Sequence, residues 1–193
     1  MIGTSNSSIG AMGNIALAVD DVEQAFRQLG FAIKLMCYCE QDHLDRAVFD
    51  TDVTLLLENE NVGFPTGSFA ALESVVAASQ VQVGVSFGVS AIVLDAAYEA
   101  AGVQKNLQSR SPADDLRTFV YMVRCAFAHN IAAPCWQVRG KDFERTFSLP
   151  VEGSIATVDL SALNSQPFEY SHIGGFAQWF KVKKAVVHAI NGT

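Results

Sequence analysis

The stretch Ser111-Pro-Ala-Asp-Asp-Leu-Arg-Thr-Phe-Val-Tyr-Met-Val-Arg-Cys-Ala-Phe-Ala-His-Asn-Ile-Ala-Ala-Pro134 decides the reading of the chain. Ser111 has the side chain of an N-cap, Pro112 suits the first helical position, and Asp114 and Asp115 place negative charge in the first turn. Leu116, Phe119, Val120, Val123, Phe127 and Ile131 recur at three and four, the spacing of one apolar helix face. Pro134 turns Ala133 away from helical backbone, so the helix is expected to end near residue 130.

Working outward, Val22, Phe26, Leu29, Ile33 and Met36 trace a second helical stripe, capped by Asp20 or Asp21 and weakened by Gly30. Val53–Leu57 reads as a short strand or a turn of helix, and 58–67, with two Asn, two Gly and a Pro, as a loop. Ser68 opens a long helical region to about residue 101. In it Gly84 and Gly88, four apart, predict close packing against a neighbouring helix. Beyond Pro134, Trp136–Val138 and Arg145–Leu149 flank the turn-like Arg139–Asp142 and predict a β-hairpin, with 154–160 as a third strand. A turn at Gln166-Pro167 follows. Gly174-Gly175 then precede a last helix over about 176–190. The expectation is a mainly α fold: a helical bundle with a small C-terminal antiparallel β-hairpin or three-stranded sheet and a final helix.

At 193 residues the chain fits one domain, 1–193, with the Gly- and Ser-rich residues 1–13 expected to be flexible. Half the residues are apolar and 17% are charged, which excludes a disordered chain. The net charge of −7 disfavours nucleic-acid binding by the whole surface, so contact with phosphates requires a local basic patch. The first basic residue is Arg27 and the apolar runs are interrupted by polar residues, so neither a secretory leader nor a membrane contact is expected. Four irregularly spaced cysteines read as reduced thiols of a cytoplasmic protein.

The sequence lacks phosphate-loop, dinucleotide and nucleophile-elbow motifs. Cys37, Cys39 and His43, and Cys125, His129 and Cys135, do not have zinc-site spacing, so neither a metal nor another cofactor is expected. Arg124 and His129 stand apart. An arginine in an apolar helix must bring its head to water or a partner, and its guanidinium can hold a phosphate through two parallel hydrogen bonds. An imidazole beside it can give and take a proton near neutral pH. His172 is a secondary candidate, and His188 beside Lys181, Lys183 and Lys184 reads as a solvated face.

The segment Arg124-Cys-Ala-Phe-Ala-His129-Asn130, late in a well-capped helix, resembles the R-x4-6-H motif of the HEPN superfamily (higher eukaryotes and prokaryotes nucleotide-binding domains). The resemblance implies a dimeric, metal-independent endoribonuclease in which Arg124 binds phosphate and His129 transfers protons. Arg117, seven residues earlier on nearly the same side, and Asn130 are candidate substrate contacts. It also implies RNA or a nucleotide as ligand, a homodimer with both pairs in one groove, and an antitoxin-type protein partner. The position after the arginine is commonly polar in active members. Here it is Cys125, which leaves as the alternative a non-catalytic nucleotide- or protein-binding module with a degenerate site.

Overall fold

The computed structural model describes residues 6–192, with side chains from residue 13 onward. The fold is mainly helical, with two small antiparallel hairpins and a final helix. Its elements are α1 (Asn6–Glu40), α2 (Arg46–Phe49), β1 (Val53–Leu56), β2 (Asn61–Phe64), α3 (Leu72–Ala100), α4 (Pro112–Ala128), β3 (Thr146–Val151), β4 (Ser154–Asp159), a 3-10 turn (Tyr170–Ile173) and α5 (Gly175–Asn191). The chain divides into two units, one formed by 1–27 with 87–193 and the other by 28–86. The boundaries fall inside α1 and α3.

In the larger unit the core gathers around Phe87, which has no exposed surface. Its ring lies 5.3 Å from that of Phe127 on α4 and 5.1 Å from that of Trp179 on α5. Phe168 and Tyr170, on the segment before α5, approach it to 5.4 and 5.1 Å. The Trp179 indole N–H donates to Ser90 Oγ (2.9 Å), which in turn donates to the Phe87 carbonyl (2.6 Å). The buried hydroxyl and indole are thereby satisfied inside the apolar cluster. On length and composition α3 could cross a membrane. Its buried Phe87, Ala91, Leu94 and Ala97, and this polar pairing at Ser90, give it the character of a core helix instead.

The signals around α4 act as read. Ser111 Oγ accepts from Asp114 N–H (3.2 Å), Pro112 occupies the first turn, and the helix stops at Ala128. Asp115 does more than favour the helix dipole. It is buried, takes Arg145 Nη2 at 2.6 Å and Ser148 N–H at 2.8 Å, and so fastens the start of α4 to β3.

Other elements depart from expectation. α1 begins fourteen residues before Asp20, because the preceding Ile15, Ala16, Leu17 and Ala18 continue the helix; Asp20 and Asp21 are exposed mid-helix residues rather than caps. The expected flexibility of 1–13 falls partly on residues 1–5, outside the described residues, whereas 6–13 have helical backbone. The side chains of Ile9 and Met12 also lie outside the described residues. Helix α3 starts at Leu72, not Ser68. Thr66 N–H and Gly67 N–H donate to Asp52 and Asp50, and Gly67 takes φ +105°, which holds the chain in a turn. Residues 61–64, expected as loop, pair with β1 in register Val53↔Phe64.

The C-terminal hairpin joins β3 to β4 in register Thr146↔Asp159, so its first strand is not 136–138. Its turn is Glu152-Gly153, with φ of 48° and 75°; two consecutive left-handed residues suit the twist of a two-residue hairpin loop. Trp136 instead accepts from Ser165 N–H and donates its own N–H to the Gln166 carbonyl, beside the Cys135–Pro167 bridge.

Gly88 allows α3 and the end of α4 to approach. A Cβ there would stand 2.7 Å from Phe127 Cδ1 and 2.9 Å from Ile131 Cγ1. Gly30 in α1 faces open space. Alanine raises helix propensity at both positions by up to about 1 kcal/mol, but at Gly88 overpacking of 1–3 kcal/mol opposes it. Phe127 is buried and cannot swing away. Gly88→Ala is therefore expected to lower stability by about 1 kcal/mol net, and Gly30→Ala to leave it unchanged or raise it, as read by chemical denaturation.

Candidate functional site

Arg117, Arg124, His129 and Asn130 lie on α4 and the turn that follows, all within the larger unit. The structure gives its two arginines opposite roles. Arg117 is 2% exposed, neither a solvated charge nor an open phosphate contact. Its Nη1 donates to Asp95 Oδ1 at 2.5 Å and its Nε to the Val103 carbonyl at 3.0 Å; Glu99 lies 3.9 Å from Nη2. Seven residues along a helix return to nearly the same side, so both arginines face Asp95 of α3, and at Arg117 that side is buried. Arg117 is thus committed to the interior.

Arg124 is 41% exposed at its side chain. Its Nε lies 3.8 Å from Asp95 Oδ2, the oxygen that Arg117 leaves free. Asp95 itself is only 6% exposed. One buried carboxylate therefore stands between two guanidiniums, and Glu99 on the far side of Arg117 balances the charge of the group. Of the two guanidiniums, Arg124 is the one that reaches solvent. At 3.8 Å that pairing is too long for a hydrogen bond, so the Arg124 donors are not used up by Asp95, the requirement for gripping an external oxyanion.

His129 is the C-cap of α4 and is exposed, with φ −92° and ψ −33°. That backbone is still right-handed helical, so the five-residue step from Arg124 keeps its rotation of about 140°. Within one chain the guanidinium and the imidazole leave α4 on different sides. Asn130 is exposed, but its Oδ1 accepts from Ala132 N–H (3.0 Å) and Ala133 N–H (3.1 Å). It shapes the turn that brings Cys135 N–H back to the Ala126 carbonyl at 3.0 Å. Only its amide nitrogen remains for a ligand.

Two neighbours were not evident from sequence. Asp95 is one; the signal for it was an acidic residue inside the apolar run of α3. Lys105 is the other, its Nζ 4.3 Å from the centre of the Tyr121 ring. Interaction with the neighbouring Cys125 thiol is the first cause of a raised Tyr121 phenol pKa; burial and Asp95 add to it, and Arg124 opposes it. Burial likewise raises the Tyr98 and Tyr170 phenols, with Arg117 opposing it at Tyr98.

His172 serves the fold. Its Nδ1 accepts from the Trp136 indole N–H (3.1 Å) and from Glu169 N–H (3.2 Å), joining the turn before α5 to the segment after α4. Around His188 the lysines are ion-paired: Lys181 and Lys184 with Glu152, Lys183 with Glu23. Cys39 is buried and Cys37 exposed. Among the described residues no three His, Cys, Asp or Glu side chains come together as a metal site.

Two outcomes follow from this geometry. Asp95→Asn leaves Arg117 buried without its counter-charge and is expected to cost about 3 kcal/mol. Arg124→Gln, at a half-exposed pair, is expected to cost under about 1 kcal/mol; urea denaturation of both variants compares them. The raised phenols mean that the folded chain keeps protons which the unfolded chain releases near pH ~10. Stability is therefore expected to fall as pH rises beyond ~10, and tyrosinate absorbance to lag behind that of the unfolded chain.

In comparisons with protein-family models, curated proteins and solved structures, the chain finds no match.

Proposed function

We propose that the protein is a HEPN-like, metal-independent endoribonuclease acting as a homodimer, with Arg124 as the phosphate ligand and His129 as the proton-transfer group. The observation that carries this reading is the half-exposed Arg124, the guanidinium of the Asp95 cluster that reaches solvent, five residues before an exposed histidine. The charge distribution supports it. Residues 28–86 hold two basic and eight acidic side chains, whereas the rest of the chain holds eleven and twelve. The unit with Arg124 is thus close to neutral, and a local cation there is not opposed by a strong negative field.

In this reading the Arg124 guanidinium donates hydrogen bonds to the non-bridging oxygens of a phosphodiester. One His129 takes the proton of the adjacent 2′-hydroxyl, whose oxygen attacks phosphorus as the P–O5′ bond breaks. A second His129 gives a proton to the departing 5′ oxygen. The products are a 2′,3′-cyclic phosphate and a 5′-hydroxyl. Because Arg124 and His129 diverge within one chain, a two-fold axis near the end of α4 supplies the missing half of each pair.

A second reading, a non-catalytic nucleotide- or protein-binding module, is favoured by Cys125, a thiol where active members commonly carry a polar group.

The deciding experiment is cleavage of mixed-sequence RNA in EDTA. The wild type is expected to generate cyclic-phosphate ends, and Arg124→Ala and His129→Ala each to lose about 100-fold or more. An equimolar mixture of the two variants should stay as inactive as either alone, since a mixed dimer keeps a single His129 and the step uses two. Intact RNA with the wild type, together with nucleotide binding that Arg124→Ala abolishes, would establish the second reading instead.

A further inference from the structure

Residues 28–86 expose an unusual amount of apolar surface. Among the described residues, ten of the fourteen exposed large hydrophobics of the chain fall in this unit. Four of them, Phe31, Phe49, Val53 and Phe64, line two adjoining hollows. An open hollow of about 240 Å³ is lined by Phe31, Leu35, Phe49, Phe69 and Val75, among others. A second, of about 360 Å³, shares Phe49 and Phe69 and continues to Val53 and Phe64 on the β1–β2 hairpin. All four residues of β1 are exposed, and a two-stranded hairpin with neither face covered is marginal in water. A contiguous exposed apolar track of this kind marks an interaction surface.

The rim is acidic. A third hollow, of about 570 Å³, adjoins both, sharing Leu44 with the first and Asp50 with the second. It presents the exposed Asp42 and Asp45 against the single Arg46, which pairs with Asp42, while Asp50 at its wall is buried and held by Gly67 N–H. The unit as a whole carries −6, two basic residues against eight acidic. This charge selects among occupants. A second copy would bring the same −6 face to face with itself. RNA is repelled. The chain's own N-terminal residues carry no base before Arg27.

We propose that the apolar track of residues 28–86 and its acidic rim dock a basic amphipathic helix of a partner protein. Apolar residues at i, i+3 or i+4, and i+7 on such a helix lie along one side, and can fill two hollows that share a wall; lysines or arginines on the flanks face Asp42 and Asp45. The inference is independent of the ribonuclease reading, because it uses none of the residues of α4.

The test uses a fluorescein-labelled 18-residue helix of leucine and lysine in that spacing, titrated with the full chain by anisotropy. Saturable 1:1 binding is expected, at least tenfold weaker for the peptide with glutamate in place of lysine. Phe31→Ser with Phe64→Ser, at positions 59% and 55% exposed, is expected to weaken binding tenfold or more with an unchanged thermal melt. Asp42→Asn with Asp45→Asn should weaken it and flatten its salt dependence; asparagine preserves the cap that Asp45 provides for α2. Absence of saturable binding, or binding that neither pair of substitutions changes, overturns the proposal. So does a wild-type dimer that Phe31→Ser with Phe64→Ser dissociates in sedimentation, since a second copy would then be the occupant.

Discussion

A single buried carboxylate governs what α4 can present to its surroundings. Asp95 divides its two oxygens between Arg117 and Arg124. The first pairing, at 2.5 Å and sealed from water, resolves the cost of an arginine in an apolar helix by supplying both a counter-charge and, through Val103, a carbonyl acceptor. The second, at 3.8 Å and open to solvent, is a looser ion pair that does not exhaust the Arg124 donors. If Asp95 were apolar, Arg117 would have to reach for water and the packing of α3 on α4 would give way. If Asp95 were unshared, Arg124 would have no anchor.

The parts of the fold visible in the sequence were those fixed by local chemistry. Ser111, Pro112 and Pro134 punctuate α4 because capping and ring geometry act within a few residues. Gly88 was readable as a close approach because only a missing side chain admits Phe127 so near. What escaped depends on partners distant in the chain. Residues 61–64 carry Gly63 and precede Pro65, a loop-like composition, yet they form a strand because Val53–Leu56 lie across from them. Strand 146–151 has two candidate neighbours of similar texture, and the choice fell to the side with the Glu152-Gly153 turn.

The candidate site was legible to a similar degree. Arg124 and His129 could be chosen by type, spacing and position, and both are open to solvent. Arg117 could not be assigned, since whether an arginine on a stripe faces a carboxylate or water depends on the helix opposite. Asn130 illustrates the same limit at shorter range: its side chain closes a turn two and three residues ahead, a role that its identity alone leaves undecided. Helical periodicity separated Arg124 from His129 by rotation, and the observed backbone at the C-cap retains that separation. Within one chain, therefore, the two groups do not converge.

The placement of the two tryptophans has a practical consequence. Trp136 and Trp179 are both almost wholly enclosed, and both belong to the unit that contains 87–193. Their ultraviolet emission is thus a blue-shifted signal from that unit alone. Residues 28–86 contain no indole, so a melt followed by intrinsic fluorescence would be blind to their loosening, and only a far-ultraviolet dichroic or calorimetric trace would register it.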